Sequence, residues 1–236
     1  MTQRVHPRLD RIQHRSLIAG GVGLGLCLLG AFLNPEQFFR SYLLAYLFWI
    51  GIALGSFAIV MLHHLTGGGW GFVIRRLLEA GTRTLPLMAV LFVPLLFGLP
   101  DLYVWARPAE VAGDALLQHK SAYLNVPFFL FRTGIYFAAW ISITYFINRW
   151  SLEQDRTAEP LLTRRLQMLS GPGLAVYVLT VTFASIDWAM SLEPHWFSTI
   201  YGVMFIVGQV LATLAFMIAV VVLLADQEPL SNVVSP

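Results

Sequence analysis

Three ionisable side chains, Asp187, Glu193 and His195, fall close together in the segment 182–199, among Trp188, Trp196 and Phe197. The segment lies between two long apolar runs. It is read as the outer end of one membrane helix, a short turn and the start of the next. A charge at or below the membrane interface is costly, so it is usually paired, linked to water or functional. Indole rings favour the headgroup boundary, which sets the depth. The chemistry on offer is proton transfer: a carboxyl just inside the end of an apolar helix, with a second carboxyl and an imidazole beyond the turn. The plainer reading makes Glu193 and His195 interfacial loop residues and Asp187 a cap on the neighbouring turn.

A proton route needs ionisable groups and hydroxyls spaced for water chains across the bilayer. Candidates recur on four apolar segments. On the second, Tyr42, Tyr46, Trp49, Ala53, Ser56, Val60 and His63 alternate at steps of four and three and form one stripe, with His64 rotated off it. The fourth carries Arg132, Tyr136 and Trp140 at steps of four. The fifth carries Tyr177, Thr180 and Asp187 on one face, and the sixth carries Tyr201 and Gln209. Ordinary hydrogen bonding between helices is the better account of the single hydroxyls. A buried Asp187 needs a cationic partner if it is to be charged. Arg132 and Lys120 are the candidates. Arg132 itself reads either as an internal ion pair or as an anchor snorkelling to the interface.

Composition bounds the class. Of 236 residues, 57% are hydrophobic and 12% charged, against about a quarter charged in soluble domains. The mean hydropathy is +0.69. This is an integral membrane protein. A net charge of +2 without a basic binding motif excludes a nucleic-acid partner. One cysteine, Cys27, makes no intrachain disulfide and holds no iron–sulfur cluster. His63 and His64 are adjacent on one helix, and His119 and His195 lie near the opposite face, so no bis-histidine haem site is expected. A metal at His119 and His195 lacks a spacing signature. The Gly67-Gly68-Gly69 run lacks the residues of a phosphate loop and reads as a helix break.

These residues are positioned by six expected spans of an all-α polytopic bundle, over about 17–33, 41–65, 73–99, 126–148, 171–190 and 198–224. The first resembles a signal peptide but has no small-residue cleavage site, so it is read as retained. Its glycines (20, 21, 23, 25 and 30) offer small faces for close packing. Residues 72–84 either lie at the surface or begin the third span, where Pro86 and Pro94 are expected kinks. The connection 100–125 is expected to hold a short surface helix, and 149–168 a charged link. Eleven basic residues (Arg4, Arg8, Arg11, Arg15, Arg75, Arg76, Arg83, Arg149, Arg156, Arg164, Arg165) fall on one side and four (Arg40, Arg107, Lys120, Arg132) on the other. That bias places the N-terminus in the cytoplasm. The segment 182–199 then faces outward, and His63 is its inward counterpart.

Several runs together resemble one family: Ser41-Tyr42-Leu-Leu-Ala-Tyr46-Leu-Phe-Trp49; Met61-Leu-His63-His64-Leu-Thr-Gly67-Gly68-Gly69-Trp70; Arg75-Arg76; Thr84-Leu-Pro86-Leu; His119-Lys120-Ser-Ala-Tyr123-Leu-Asn125; and Asp187-Trp188 through Tyr201-Gly202. The likeness covers nearly the whole chain. It is to the ActF membrane component of bacterial alternative complex III, a quinol:electron acceptor oxidoreductase, in the NrfD or polysulfide-reductase membrane-subunit superfamily. The resemblance implies a protein of the bacterial inner membrane with no redox centre of its own. It would stand beside a sister NrfD-like quinol-binding subunit, multihaem cytochrome c subunits and an iron–sulfur, molybdopterin-like subunit, with a terminal oxidase as a further partner. Such a complex oxidises menaquinol and passes electrons to a cytochrome c or an oxidase. Haem c and iron–sulfur clusters would belong to those partners, and this chain would contribute a proton-conducting path. Family members have about ten spans, so a single domain over 1–236 is expected to be the N-terminal part of such a protein. A passive membrane anchor and a stand-alone proton or solute transporter are the competing functions.

Overall fold

Two long helices begin at Asn-Pro signals. In the computed structural model, which describes residues 7–225, the Asn34 side chain accepts a hydrogen bond from the Gln37 amide at 3.2 Å, and Pro35 occupies the first turn. Asn125 does the same for the Phe128 amide at 2.9 Å, with Pro127 in the first turn. These side chains satisfy amides with no partner inside the helix, and proline there loses no hydrogen bond. Arg4 and residues 231–236 lie outside the described residues.

In chain order the elements are α1 (Pro7–Leu33), α2 (Pro35–Thr66), α3 (Arg75–Thr82), α4 (Leu85–Phe97), α5 (Leu99–Leu102), α6 (Pro108–Gly113), α7 (Ala115–Lys120), α8 (Val126–Thr157), α9 (Pro160–Trp188) and α10 (Tyr201–Leu224). No strand occurs among the described residues. Six stretches, with α3 and α4 counted as one, are long and apolar enough to cross a membrane. The fold is an all-α polytopic membrane bundle. One end, the cap end, carries residues 98–125 and 189–200. The other, the basic end, carries the α2–α3 and α8–α9 turns.

Several boundaries differ from expectation. The charged link at 149–168 is helical almost throughout: α8 runs on to Thr157, and α9 starts at Pro160. Only Ala158 and Glu159 join them, with Ala158 left-handed at φ 52°. Charge ends the apolar run without ending the helix. The third span breaks at Arg83 and Thr84, because Pro86 has no N–H to give the Thr82 carbonyl. The hydroxyls of Thr82 and Thr84 donate to the Glu79 and Gly81 carbonyls, each at 2.7 Å, which also accept from the Arg83 and Thr84 amides. Pro86 therefore starts a helix, and Pro94 lies inside that helix. The 100–125 connection holds the expected short surface helix, α6, which buries no residue, but the rest of it packs inward. Its Tyr103, Trp105, Leu117 and Leu124 are buried in the cap.

The core is arranged around α2. Of its most apolar eighteen-residue window 72% is buried, against 0% for α1. The stripe read from α2 turns inward except at Trp49, which is half exposed, and His64 is buried beside it. The bundle includes the sixth long helix, since α10 packs on both α2 and α9. The glycine face of α1 does not serve close packing: a Cβ at Gly20, Gly21, Gly23 or Gly25 would meet nothing within 4 Å. Close approach occurs at Gly55 instead, where a Cβ would stand 2.7 Å from the Gln209 carbonyl oxygen of α10 and closer still to Thr213. At the cap end Trp188 is ringed by Tyr46, Phe92, Tyr136, Phe137 and Trp140, and each such pair contributes roughly 0.5–1.5 kcal/mol beyond the area it buries.

Gly55→Ala should push α10 off α2 and destabilise the protein by about 1–3 kcal/mol, the usual cost of overpacking a filled core. Gly23→Ala should be neutral. Thermal unfolding in detergent compares them, and equal midpoints would refute the α2–α10 contact.

Candidate functional site

The cap-end network starts from two helix faces. On α8 the spacing Arg132, Tyr136, Trp140 turns all three side chains inward. On α9, Asp187 sits in the last turn, one residue before the helix ends. Asp187 is fully buried and Arg132 is 7% exposed. The guanidinium grips the carboxylate with two bonds, Nε to Oδ2 at 2.9 Å and Nη2 to Oδ1 at 2.8 Å. The Tyr136 hydroxyl donates a third, to Oδ2 at 2.8 Å. The remaining Arg132 nitrogen, Nη1, donates to the Tyr123 carbonyl at 3.0 Å. The guanidinium carbon also lies 3.8 Å from the Tyr123 ring centre and 4.3 Å from that of Phe128, two rings set nearly perpendicular to each other. Paired, bidentate and flanked by aromatics, this is how a buried guanidinium is satisfied.

Of the two readings of Arg132, the internal ion pair is the one observed. Lys120 is not a partner of Asp187. Its ammonium donates to the Pro194 carbonyl at 2.5 Å and ties α7 to the turn. Tyr103 and Trp105 bind the same turn, donating to the Trp188 and Ser191 carbonyls at 2.9 and 3.2 Å. These bonds close the cap over the ion pair. Beside it, the Tyr123 hydroxyl is buried without a hydrogen bond. Burial first, and then the Asp187 charge, pushes that phenol well above its ordinary pKa, so it stays a neutral donor.

The other expected site residues fall in separate groups. Tyr177 and Thr180 face inward but do not reach Asp187. Tyr177 donates to Gln209 Oε1 at 3.2 Å, and Thr180 accepts from the Trp140 indole at 2.8 Å. Tyr46 donates to the Met88 carbonyl at 3.0 Å and Ser56 to its own helix at Ile52, 2.7 Å away, so backbone satisfies both. Tyr201 makes ring contacts with Trp196 and Phe205. His63 is buried at the basic end against Trp70, under a turn closed by Gly67 at φ 64°. Glu193 and His195 are exposed. His195 Nε2 lies 2.7 Å from Asp114 Oδ2, and its Nδ1 is 3.8 Å from Glu193.

One buried carboxylate is not among the expected site residues. Glu79 on α3 is 1% exposed. It accepts from Ser151 at 2.6 Å and from Arg76, and lies 3.8 Å from Arg75. Arg76 also binds Asp155. Its spacing from Arg76 and Arg75, three and four residues, is that of ion pairs within a helix. Nothing in the sequence shows that Ser151 of α8 completes the set. Among the described residues no group of three or more His, Cys, Asp or Glu gathers where a metal ion would sit.

The fold and this geometry define a polytopic membrane bundle with an internal ion pair at its cap end. Compared with protein-family models and with curated proteins, the chain matches none.

Breaking the pair from one side should be severe, because it strands a charge. Arg132→Met should destabilise by about 3–5 kcal/mol, and adding Asp187→Leu should recover most of the loss. Unfolding in detergent measures both, and a single variant as stable as the wild type would show the pair to be idle.

The cap should respond to acid. The Leu117 amide, against desolvation, and then the Leu116 amide and His195 hold the Asp114 carboxyl below its usual value of 3.8. A depressed carboxyl contributes stability above its unfolded pKa and loses it as the pH falls through the folded one. Exchange protection of the Leu116 and Leu117 amides, corrected for intrinsic rates, should therefore decline below about pH 3.8. Asp114→Asn should abolish that acid response. Protection unchanged into strong acid would count against the clasp.

Proposed function

We propose that this chain is a membrane subunit of a respiratory quinol-oxidising complex and contributes part of a proton-conducting path. The family likeness of the runs around His63, His119 and Asp187 supports the setting. It also supports a bacterial inner membrane, menaquinol as reductant, and partner subunits that hold haem c and iron–sulfur clusters, while the eleven-to-four bias of basic residues supports a cytoplasmic N-terminus. The observation that carries the proton role is the buried Arg132–Asp187–Tyr136 triad. Ionisable groups inside a membrane bundle are expensive and mark ion or proton routes.

The hydrogen-bonded groups do not join into one chain. Asp187 stands seven residues from Thr180 on α9, about 10 Å along the axis. Several buried polar atoms lack partners, among them the Tyr123 hydroxyl, Gln209 Nε2, His63 Nδ1 and His64 Nε2. Such atoms are where internal water binds. A route would then pass from His195 and Glu193 outside, past Tyr123 to the triad, by Tyr177 and Gln209, and on toward His63 and Glu79. The saturation of Asp187 favours one competing reading, a passive anchor in which the pair only latches α8 to α9.

Asp187→Asn separates these readings in a variant that still assembles, since it keeps size but removes the charge and one of the two oxygens that accept from Arg132. In the assembled complex in proteoliposomes, quinol oxidation should persist while coupled proton movement falls. Normal pumping by an assembled variant would make Asp187 structural.

A further inference from the structure

At the basic end, α8 and the start of α4 enclose a groove of about 780 Å³. One stripe of α8 forms its long wall, and Arg83 and Pro86 stand opposite. Its inner part is apolar and aromatic, with Ile141, Tyr145 and Pro86. Its mouth carries Arg83, Arg149 and Arg156, against a single carboxylate, Glu153. On α3 the arginines are neutralised: Arg75 and Arg76 are tied to Glu79 and Asp155. In the groove they are not. Among the described residues Arg149 and Arg156 make no ion pair or hydrogen bond. Arg83 makes one hydrogen bond, from Nε to Asn148 Oδ1 at 3.3 Å, which leaves its two terminal nitrogens for another acceptor. Thr144, 5% exposed on the groove wall, has a hydroxyl without a partner.

We propose that this groove binds one anionic phospholipid, its phosphate among the three guanidinium groups and one acyl chain running toward Ile141. Guanidinium matches phosphate oxygens two at a time and is readily desolvated. A basic pocket between membrane helices is the pattern that recognises anionic headgroups. The length suits a lipid: Ile141 and Arg156 are fifteen residues apart on α8, about 22 Å, which exceeds a headgroup and leaves the apolar part for a chain. A free inorganic anion would answer the charge and leave the apolar wall bare. A zwitterionic lipid would bring its own cation against the arginines. The site is independent of the proton role, since it shares no residue with the Asp187 triad.

The test uses the full chain in phosphatidylcholine nanodiscs, with phosphatidylglycerol titrated in and retention followed by native mass spectrometry through graded delipidation. The wild type should retain one phosphatidylglycerol in preference to phosphatidylcholine. Arg149→Gln with Arg156→Gln removes two exposed, unpartnered side chains. The thermal midpoint in pure phosphatidylcholine should therefore stay unchanged, while phosphatidylglycerol affinity falls about thirtyfold, at roughly fivefold per arginine. Equal retention of phosphatidylcholine, or undiminished binding by the double variant, would overturn the proposal. Displacement by inorganic phosphate at the concentration of the lipid would make this a free-anion site. Occupancy by polyglutamate with no phosphatidylglycerol bound would assign the groove to an acidic polypeptide. Either result would also overturn it.

Discussion

A carboxylate with no exposed surface must be answered inside the protein, and the way Asp187 is answered fixes much of the cap end. Three donors converge on it, two from Arg132 and one from Tyr136, all from α8. Together they set the rotation of α8 against α9 and the height at which the two helices meet. Trp188 follows Asp187 directly, so its place at the centre of the aromatic cluster depends on the same register. Water must also be kept out. That falls to the cap, whose Tyr103, Trp105 and Lys120 all bind carbonyls of the turn just beyond Asp187. Pair and cap support each other: without the cap the charges are solvated and the grip weakens, and without the grip the turn has no fixed position.

The basic end repeats this logic with different elements. Glu79 is fixed by Ser151 and Arg76, and Asp155 accepts from Arg76 in turn. Asn148 adds a bond to Thr82 at 2.9 Å. Helix α8 is thus joined to α9 at the cap end and to α3 at the basic end, through buried polar groups on one continuous face. In a bilayer, apolar side chains gain little from leaving lipid for one another, so close packing and polar bonds between helices decide which helices associate. In the apolar window of helix α1 no residue is buried. Its glycines alone do not bring it into the bundle.

The proposed function rests on charge placement more than on connectivity. Polar groups occur at every depth, but most are satisfied locally, by backbone carbonyls or by one neighbour. A hydroxyl bonded to its own helix, like Ser56, is held and poorly placed to relay. The buried atoms that lack partners matter more, because each is a place where internal water binds. The basic groove shows a different kind of unmet need, charge at a surface, and so points to an external ligand instead of an internal path.

The sequence by itself determined that this is a membrane bundle, because run length and low charge leave no other way to hide so much apolar surface. It determined the six spans to within a few residues at their apolar ends, and the inward face of α8, because four-residue spacing is periodic and local. It singled out Asp187 and Arg132 and proposed one as partner of the other, since a buried charge demands an opposite one. It could not choose between Arg132 and Lys120, or between an ion pair and a snorkelling anchor, because that choice depends on the relative height of two helices distant in sequence. Helix ends beyond the lipid were misread for a related reason: charged residues end the hydropathy signal but not the hydrogen-bond ladder. Glu79 with Ser151, the cap folded over the 188–194 turn, and the loose position of α1 were decided only in the tertiary structure. Each depends on which surfaces meet, and pairing between helices leaves no periodic trace in the chain.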